Sequence, residues 1–562
     1  MYIRQISRVR QDGSRVRYLQ LARKVRDPQT GIPRDQVLCH LGREDELEGE
    51  QLRRLAHSLT RFLAPADRAE VEAQRLARQS GQDLKLQQCL AYGGTYVLDA
   101  LWHRLGLPET FRQLLRERQY EVDVERLLFA LVANRALAPQ SKRAIESWVG
   151  RKSQIDGLDE VAVHNLYRAM DFLVDHHEEV QQRVFFSVAE LLNLEVDLLF
   201  FDTTSTYFEM EAEDEDASGL RRYGHSKDHR PDLPQVVIGL AVTRDGIPVR
   251  CWVLPGNTAD GSTVETVQRD LAGWRLNRVV WVMDRGLNGE SQRIALQRGG
   301  GHFIVGERLR DAQAANHEAL SRPGRFAPVR ENLEVKEVRV EEGSLVRRFV
   351  VVRNPAQAER DRRRRAKLVE RLEEEIRRLN DGRRRRGAKH SKSVCALQSH
   401  PTLGRYVREL RDGQLRVNRT LLDEEAKLDG KFLLSTTDPS LSAEDVALGY
   451  QQLFEVENAF RTLKTTLQLR PIYHHLPERI RAHVLLCWLA LLLVRIVERE
   501  TQQTWAPMRE ELEALHLAYL EGTAGSTVLC SELTTAQRRI LNALNLPAPK
   551  RIRHLDPPAA PA

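Results

Sequence analysis

Val196-Asp-Leu-Leu-Phe-Phe-Asp-Thr-Thr-Ser-Thr-Tyr-Phe208 is the stretch on which the architecture turns. Its apolar, β-branched and aromatic residues predict a strand buried on both faces, with Asp202 in the middle of it. The flanking sequence continues the pattern. Gln235–Thr243 and Val249–Leu254 read as two further strands joined by Asp245-Gly246, a strong hairpin signal. Ser262-Thr-Val-Glu265 reads as a capping box that opens a helix running to about Trp274. A second buried strand, Arg278–Asp284 (RVVWVMD), comes after it, then a helix from about Gly289 and a strand at His302–Gly306. Three antiparallel strands, helix, strand, helix, strand is the order of an RNase H-like α/β core, a mixed sheet that carries carboxylates on its central strands.

Working outward, residues 1–45 alternate polar and apolar around Asp12-Gly13 and Pro28–Pro33, which predicts a small β-hairpin domain. Residues 45–80 are charged and helical in pattern. The stretch 85–193 keeps a helical period and reads as an all-helical domain. Beyond the core's first part (194–310), short strands at Leu333–Val340, Leu345–Val352, Gln414–Leu422 and Lys431–Thr436 enclose a basic helical segment. This block, 311–441, reads as a β-rich insertion ahead of a second core part at 442–500. Residues 501–562 read as a helical tail with a Pro/Ala-rich end.

Composition narrows the class. A chain of 562 residues implies about three to five domains, and 41% hydrophobic with 29% charged residues excludes a disordered polymer and a membrane-embedded protein. The apolar run Val484–Val494 is far shorter than the ~20 residues of a bilayer span, so it reads as a buried helix. MYIRQISRVR has no apolar signal region, and the six cysteines form no CxxC pair, so a reduced, cytoplasmic protein is expected. Net charge is +7, and Glu359–Ser393 alone holds fifteen Lys/Arg against seven Asp/Glu, which is 15 − 7 = +8. Clusters such as Arg362–Arg365 and Arg383, Arg384, Arg385 and Arg386 suit a phosphate backbone, or equally a solvated helix satisfied by its own glutamates.

Acid on hydrophobic strands is the chemical signal. A lone carboxylate among buried apolar residues costs several kcal/mol unless paired or metal-bound. One such aspartate reads as a structural acid; Asp202 and Asp284 on neighbouring strands point to a divalent metal with hard oxygen ligands. A third carboxylate is available on the helix that opens at Ser442-Ala-Glu-Asp445 and runs to about Thr466. There Tyr450, Glu457 and Lys464 are seven residues apart; seven residues turn a helix by ~700°, which leaves all three on one face. Glu455 points away, and Arg461 sits one turn beyond Glu457. Such a face also fits an ordinary exposed helix. Lys227 and Arg230, in Tyr223–Leu233, could touch a phosphate backbone beside Asp202, or equally the stretch is a hairpin loop stiffened by Pro231 and Pro234.

FDTTSTYF, VMDRGLN and YQQLFEVENAFRTLK, in that order, resemble the DDE insertion-sequence transposases whose glutamate helix carries a Tyr–Arg–Glu–Lys signature. The resemblance covers about 194–310 and 440–500. It implies that Asp202, Asp284 and Glu457 are the catalytic metal ligands for two Mg²⁺ ions, with Mn²⁺ as a substitute. It implies that Tyr450 and Lys464 hold a DNA phosphate. The departure is Leu453, which stands where the signature has arginine; Arg461 is the nearby cation that could replace it. The resemblance further implies a transposase that binds terminal inverted repeats through its N-terminal and helical domains, acts on target DNA, works as a homodimer and uses no nucleotide cofactor or membrane. It would act in the bacterial cytoplasm on nucleoid DNA. The rival readings are a metal-dependent nuclease that cuts without joining and an inactive DNA-binding relic.

Overall fold

The computed structural model describes residues 2–9, 15–26, 33–43, 54, 58, 84–116, 122–192, 198–210, 212–216, 219–274, 279–284, 286, 293–294, 301–310, 313–342, 345–386, 392–522 and 525–556. The chain forms two compact units, one of 1–89, 516–532 and 549–562, the other of 90–515 and 533–548. Most of 45–80, the helix expected from about Gly289 and the Pro/Ala-rich end lie outside the described residues.

The first unit contains a three-stranded antiparallel sheet of Tyr2–Val9, Arg15–Arg26 and Pro33–Arg43. Its second sheet corrects the expectation of a helical tail. His516–Gly522, Gly525–Cys530 and Ile552–Asp556 are strands, and they join Lys85–Ala91 in a four-stranded sheet. The edge of the pair His516–Gly522 and Gly525–Cys530 is completed by a segment more than four hundred residues earlier. No local period reveals such a pairing.

The second unit is built on a nine-stranded mixed sheet. Its strands are β1 (Leu198–Tyr207), β2 (Gln235–Thr243), β3 (Pro248–Pro255), β4 (Val280–Met283), β5 (His302–Glu307), β6 (Ala327–Arg330), β7 (Leu333–Glu342), β8 (Leu345–Arg353) and β9 (Lys431–Thr436). The order across the sheet is β6-β7-β8-β9-β5-β4-β1-β2-β3. Strand β4 runs parallel to both β1 and β5, and the remaining neighbours are antiparallel. The β2–β3 hairpin turns at Gly246, whose φ of 73° is a backbone conformation that glycine adopts freely.

Four strands of the supposed insertion, β6 to β9, thus belong to the sheet. Strand β9 pairs with β5 on one side (Leu434 opposite Gly306) and with β8 on the other, closing an edge that would otherwise be open. Residues 354–430 leave the sheet, carrying the long helix Pro355–Arg386. The strand expected at Gln414–Leu422 shrinks to Leu415–Val417, because the Asn418 side chain accepts a hydrogen bond from Leu421 N and caps a helix over Arg419–Ala426.

Alternation along β1 and β4 sends side chains into two cores. Leu199, Phe201, Trp281 and Met283 pack against α1 (His177–Leu191) and α2 (Asp260–Ala272). Helix α2 begins earlier than its expected capping box: Ser262 donates its hydroxyl back to Ala259 O (2.8 Å). Leu198, Phe200, Val280 and Val282 face the opposite core. The helices around that core include α4 (Ala443–Gln451), α5 (Phe454–Arg461) and α6 (Pro477–Thr501), ahead of which lies α3 (Pro355–Arg386). Helix α6 is long and apolar enough to cross a membrane, yet 89% of its most apolar window is buried, packed on the helices Val124–Leu137 and Val163–Asp175.

Candidate active site

Register places the two aspartates side by side. Phe201 of β1 pairs with Met283 of β4, so Asp202 and Asp284 are the next residues on adjacent parallel chains. They have the same parity as Phe200 and Val282 and therefore project toward the core face that α4 and α5 cover. Both are half-buried. Asp202 Oδ1 accepts from Thr203 N (2.7 Å) and lies 3.6 Å from Lys227 Nζ, which also donates to Thr203 O (2.7 Å). Asp284 Oδ1 accepts the hydroxyl of Tyr450 (3.2 Å). The tyrosine reaches it by lying over Gly306 of β5, where any Cβ would collide with its hydroxyl.

Helix α4 starts with a reciprocal cap: Ser442 Oγ accepts from Asp445 N and the Asp445 carboxylate accepts from Ser442 N (3.2 Å). The helix does not continue unbroken to Thr466, as the heptad spacing predicts. At 452–456 the N–H groups of Gln452, Leu453, Glu455 and Val456 bond carbonyls three residues back, tightening the chain before α5, and Thr462–Thr466 then widens into a π turn. Within the tightened turn, Leu453 is only 8% exposed and packs into the core. The residue at the signature's arginine position is therefore packing, not contact.

The break divides the expected Tyr450/Glu457/Lys464 face. Tyr450 and Glu457 line one cavity of about 470 Å³ together with Asp284, Glu307, Arg308 and Arg310. Glu307 is fully engaged there, paired with Arg293 and Arg347 (3.0 Å each) and accepting from Ser435 (2.6 Å). Lys464 instead pairs with Asp228 (2.8 Å), which also holds Arg470 (2.7 Å). Burial lowers the Lys464 pKa against the pull of Asp228. Glu455 points to the Gly246 turn, and burial raises its pKa. Arg230 pairs with Asp232 (2.8 Å), and its guanidinium and that of Arg470 both lie over the Tyr207 ring, at 5.2 and 5.7 Å. Arg461 is exposed at the end of α5. Arg383–Arg386 fall in the last turn of α3, with side chains outside the described residues. Asp228, Arg470 and Glu307 carry no motif; only the proximity of Asp228 to Lys227 could have drawn attention to it.

Among the described residues no three Asp, Glu, His or Cys side chains gather closely enough to hold one metal ion. Asp284 and Glu457 line one cavity, Asp202 sits beside Asp284 on the sheet, and the three do not form a closed ligand shell. The donors themselves fit Mg²⁺: hard carboxylate oxygens, two of them on rigid strands, with an ammonium already drawn to Asp202.

Residues 208–493 match the family model of the transposase DDE domain, and residues 3–71 match that of the N-terminal domain of IS1634 family transposases. The chain belongs to the DDE transposases of insertion sequences. Asp284, Tyr450, Glu457 and Lys464 lie within the matched span and Asp202 just ahead of it. Two solved transposase structures resemble this one. The piggyBac transposase synaptic complex with hairpin DNA has a TM-score of 0.32 at 9% identity, over 72% of this chain and 75% of that one. The Mos1 transposase paired-end complex with left transposon end has a TM-score of 0.14 at 12% identity, over 36% and 63%. No curated protein matches the sequence.

Proposed function

We propose that this transposase has an RNase H-like catalytic core that cleaves DNA at terminal inverted repeats and joins the freed ends to a target, in a cut-and-paste reaction carried out by a homodimer. The observation that carries the reading is the register of β1 and β4, which sets Asp202 beside Asp284, while Asp284 lines one cavity with Glu457. These three carboxylates would hold Mg²⁺ or Mn²⁺. When bound, such ions supply an activated water or 3′-hydroxyl and counter-charge for in-line attack on a phosphodiester. Tyr450 fixes the Asp284 carboxylate through its hydroxyl, and Lys227 places positive charge beside Asp202. Lys464 and Arg470, tethered by Asp228, present cations to a DNA phosphate, with Arg230 and Arg461 nearer the surface. The setting would be the bacterial cytoplasm, on nucleoid DNA.

The test is an in vitro reaction of the purified protein with Mg²⁺, a DNA fragment carrying the element's own ends, and a supercoiled target plasmid. Joined end–target products are expected. Recovery of cleaved or nicked DNA with no joined product would overturn the joining step and leave a nuclease.

A further inference from the structure

A second cavity in the same unit, of about 550 Å³, is lined by Arg135, Lys142, Arg143, Arg470, His474 and His483 and by no aspartate or glutamate. Three of these bases are not surface charges. Arg135, Lys142 and His483 are each only 4% exposed. Among the described residues neither Arg135 nor Lys142 has a carboxylate partner. His483 is held as a neutral ring by its two neighbours: Nε2 donates to Leu469 O (3.0 Å), which leaves Nδ1 to accept from the Lys142 ammonium (3.0 Å). Arg135 donates to the carbonyls of Gln468 (3.3 Å) and Gln140, while its Nε is buried with no hydrogen-bond partner.

Buried bases without acids are costly, since each charge has given up water and gained no counter-ion. The cost is visible in Lys142, which burial pushes down to about 7, and in His474, which burial pushes down to about 4. A structural role alone would be served by apolar residues of similar volume. What relieves the imbalance is an incoming oxyanion, and the room exceeds what one phosphate group needs. The location narrows the source. Arg470 lines this cavity and also pairs with Asp228, which holds Lys464 and adjoins Lys227, the ammonium 3.6 Å from Asp202.

We propose that this cavity is a phosphate-binding site, gripped by Arg135, Lys142 and Arg470, that takes a phosphate of the DNA strand held at the candidate active site. The oxyanion chemistry stands on the cavity alone; its DNA source rests on the proposed function.

The test uses the full chain and two probes. Inorganic phosphate, compared with chloride at equal ionic strength, should raise the thermal midpoint by about 2 °C or more. The rise should vanish in Lys142→Met, whose own midpoint without phosphate should equal or exceed that of the unaltered protein. It should shrink in the rim variant Arg143→Gln, which guards against misfolding of the first. A phosphate response that persists in both variants overturns the site. With a single-stranded oligonucleotide as probe, Lys142→Met should weaken binding about five- to tenfold and lower the salt slope by about 0.7, the share of one phosphate. Unchanged DNA affinity and slope, with the phosphate response lost, would overturn the DNA source in favour of a free anion. Asp202→Asn should leave both readouts intact, so failure of catalysis and failure of this site are read separately.

Discussion

Helix α3 and the cavity around Lys142 are both basic, and they hold their charge in opposite ways. Helix α3 displays its arginines in solvent and supplies its own counter-ions: Arg362 (2.6 Å) and Arg363 (2.8 Å) pair with Glu359, and Arg378 with Glu375 (2.6 Å). Arg365 is held by Asp429, and Glu373 by Arg419. The cavity around Lys142 has far fewer cations, all of its buried ones without an acid. A composition count sees only the first. What creates demand for a ligand is charge left uncompensated where the dielectric is low, since exposed charges are screened by water and salt within about 10 Å.

The largest effect is expected at the candidate active site. Asp202→Asn, Asp284→Asn or Glu457→Gln should cut end cleavage on the order of 10³-fold or more while DNA affinity, supplied by the basic regions, stays within about twofold. Near-normal cleavage with Mg²⁺ in any of the three would remove that residue from the ligand set. Next in size is the energetic contrast. The folded pKa of Lys142 is about 7 against 10.5 for the free side chain. Between those values the unfolded chain binds the extra proton, so stability of the unaltered protein rises with pH across that window. Lys142→Met should therefore be more stable by a few kcal/mol at pH 6, with the gain fading toward pH 10. Urea titrations at both ends of the range would show it, and a pH-independent difference would mean that the lysine is already compensated.

Smaller is the effect expected from the exposed region. Changing Arg383–Arg386 together to glutamine should weaken duplex binding and lower the salt slope by up to about 3.6, four phosphates at about 0.9 each. An unchanged slope would make this end of α3 a solvated surface. Smallest is Arg362→Gln: its side chain is 70% exposed, and loss of its pair with Glu359 should alter stability by less than about 0.5 kcal/mol. A larger loss would show that α3 is braced by its ion pairs, which would blur the contrast.

Much of the sheet was legible because its signals are local. The apolar run around Asp202, the Asp245-Gly246 turn and the strand before Asp284 each announce themselves within a dozen residues, and the pleat then fixes which way the two aspartates face. The break between α4 and α5 was not legible: Tyr450, Glu457 and Lys464 keep a helical spacing straight through it, and the tightened turn at 452–456 holds no glycine or proline to announce it. The same holds for β9, whose place between β5 and β8 depends on edges made elsewhere. The cation cavity was invisible for a plainer reason: Lys142 and His483 meet across 341 residues of sequence.

The excursion between β8 and β9 departs and returns at a single point, where Asn354 N donates to Gly430 O (2.7 Å) and Arg365 grips Asp429. Beyond that neck it carries its own small apolar interior, including Leu372, Ile376, Val394, Leu397 and Leu422. A piece so attached is a cassette: a gene can lengthen, shorten or exchange it at the neck without reshaping the sheet that bears the aspartates. Evolution can thus fit the element to new surroundings while its chemistry stays put.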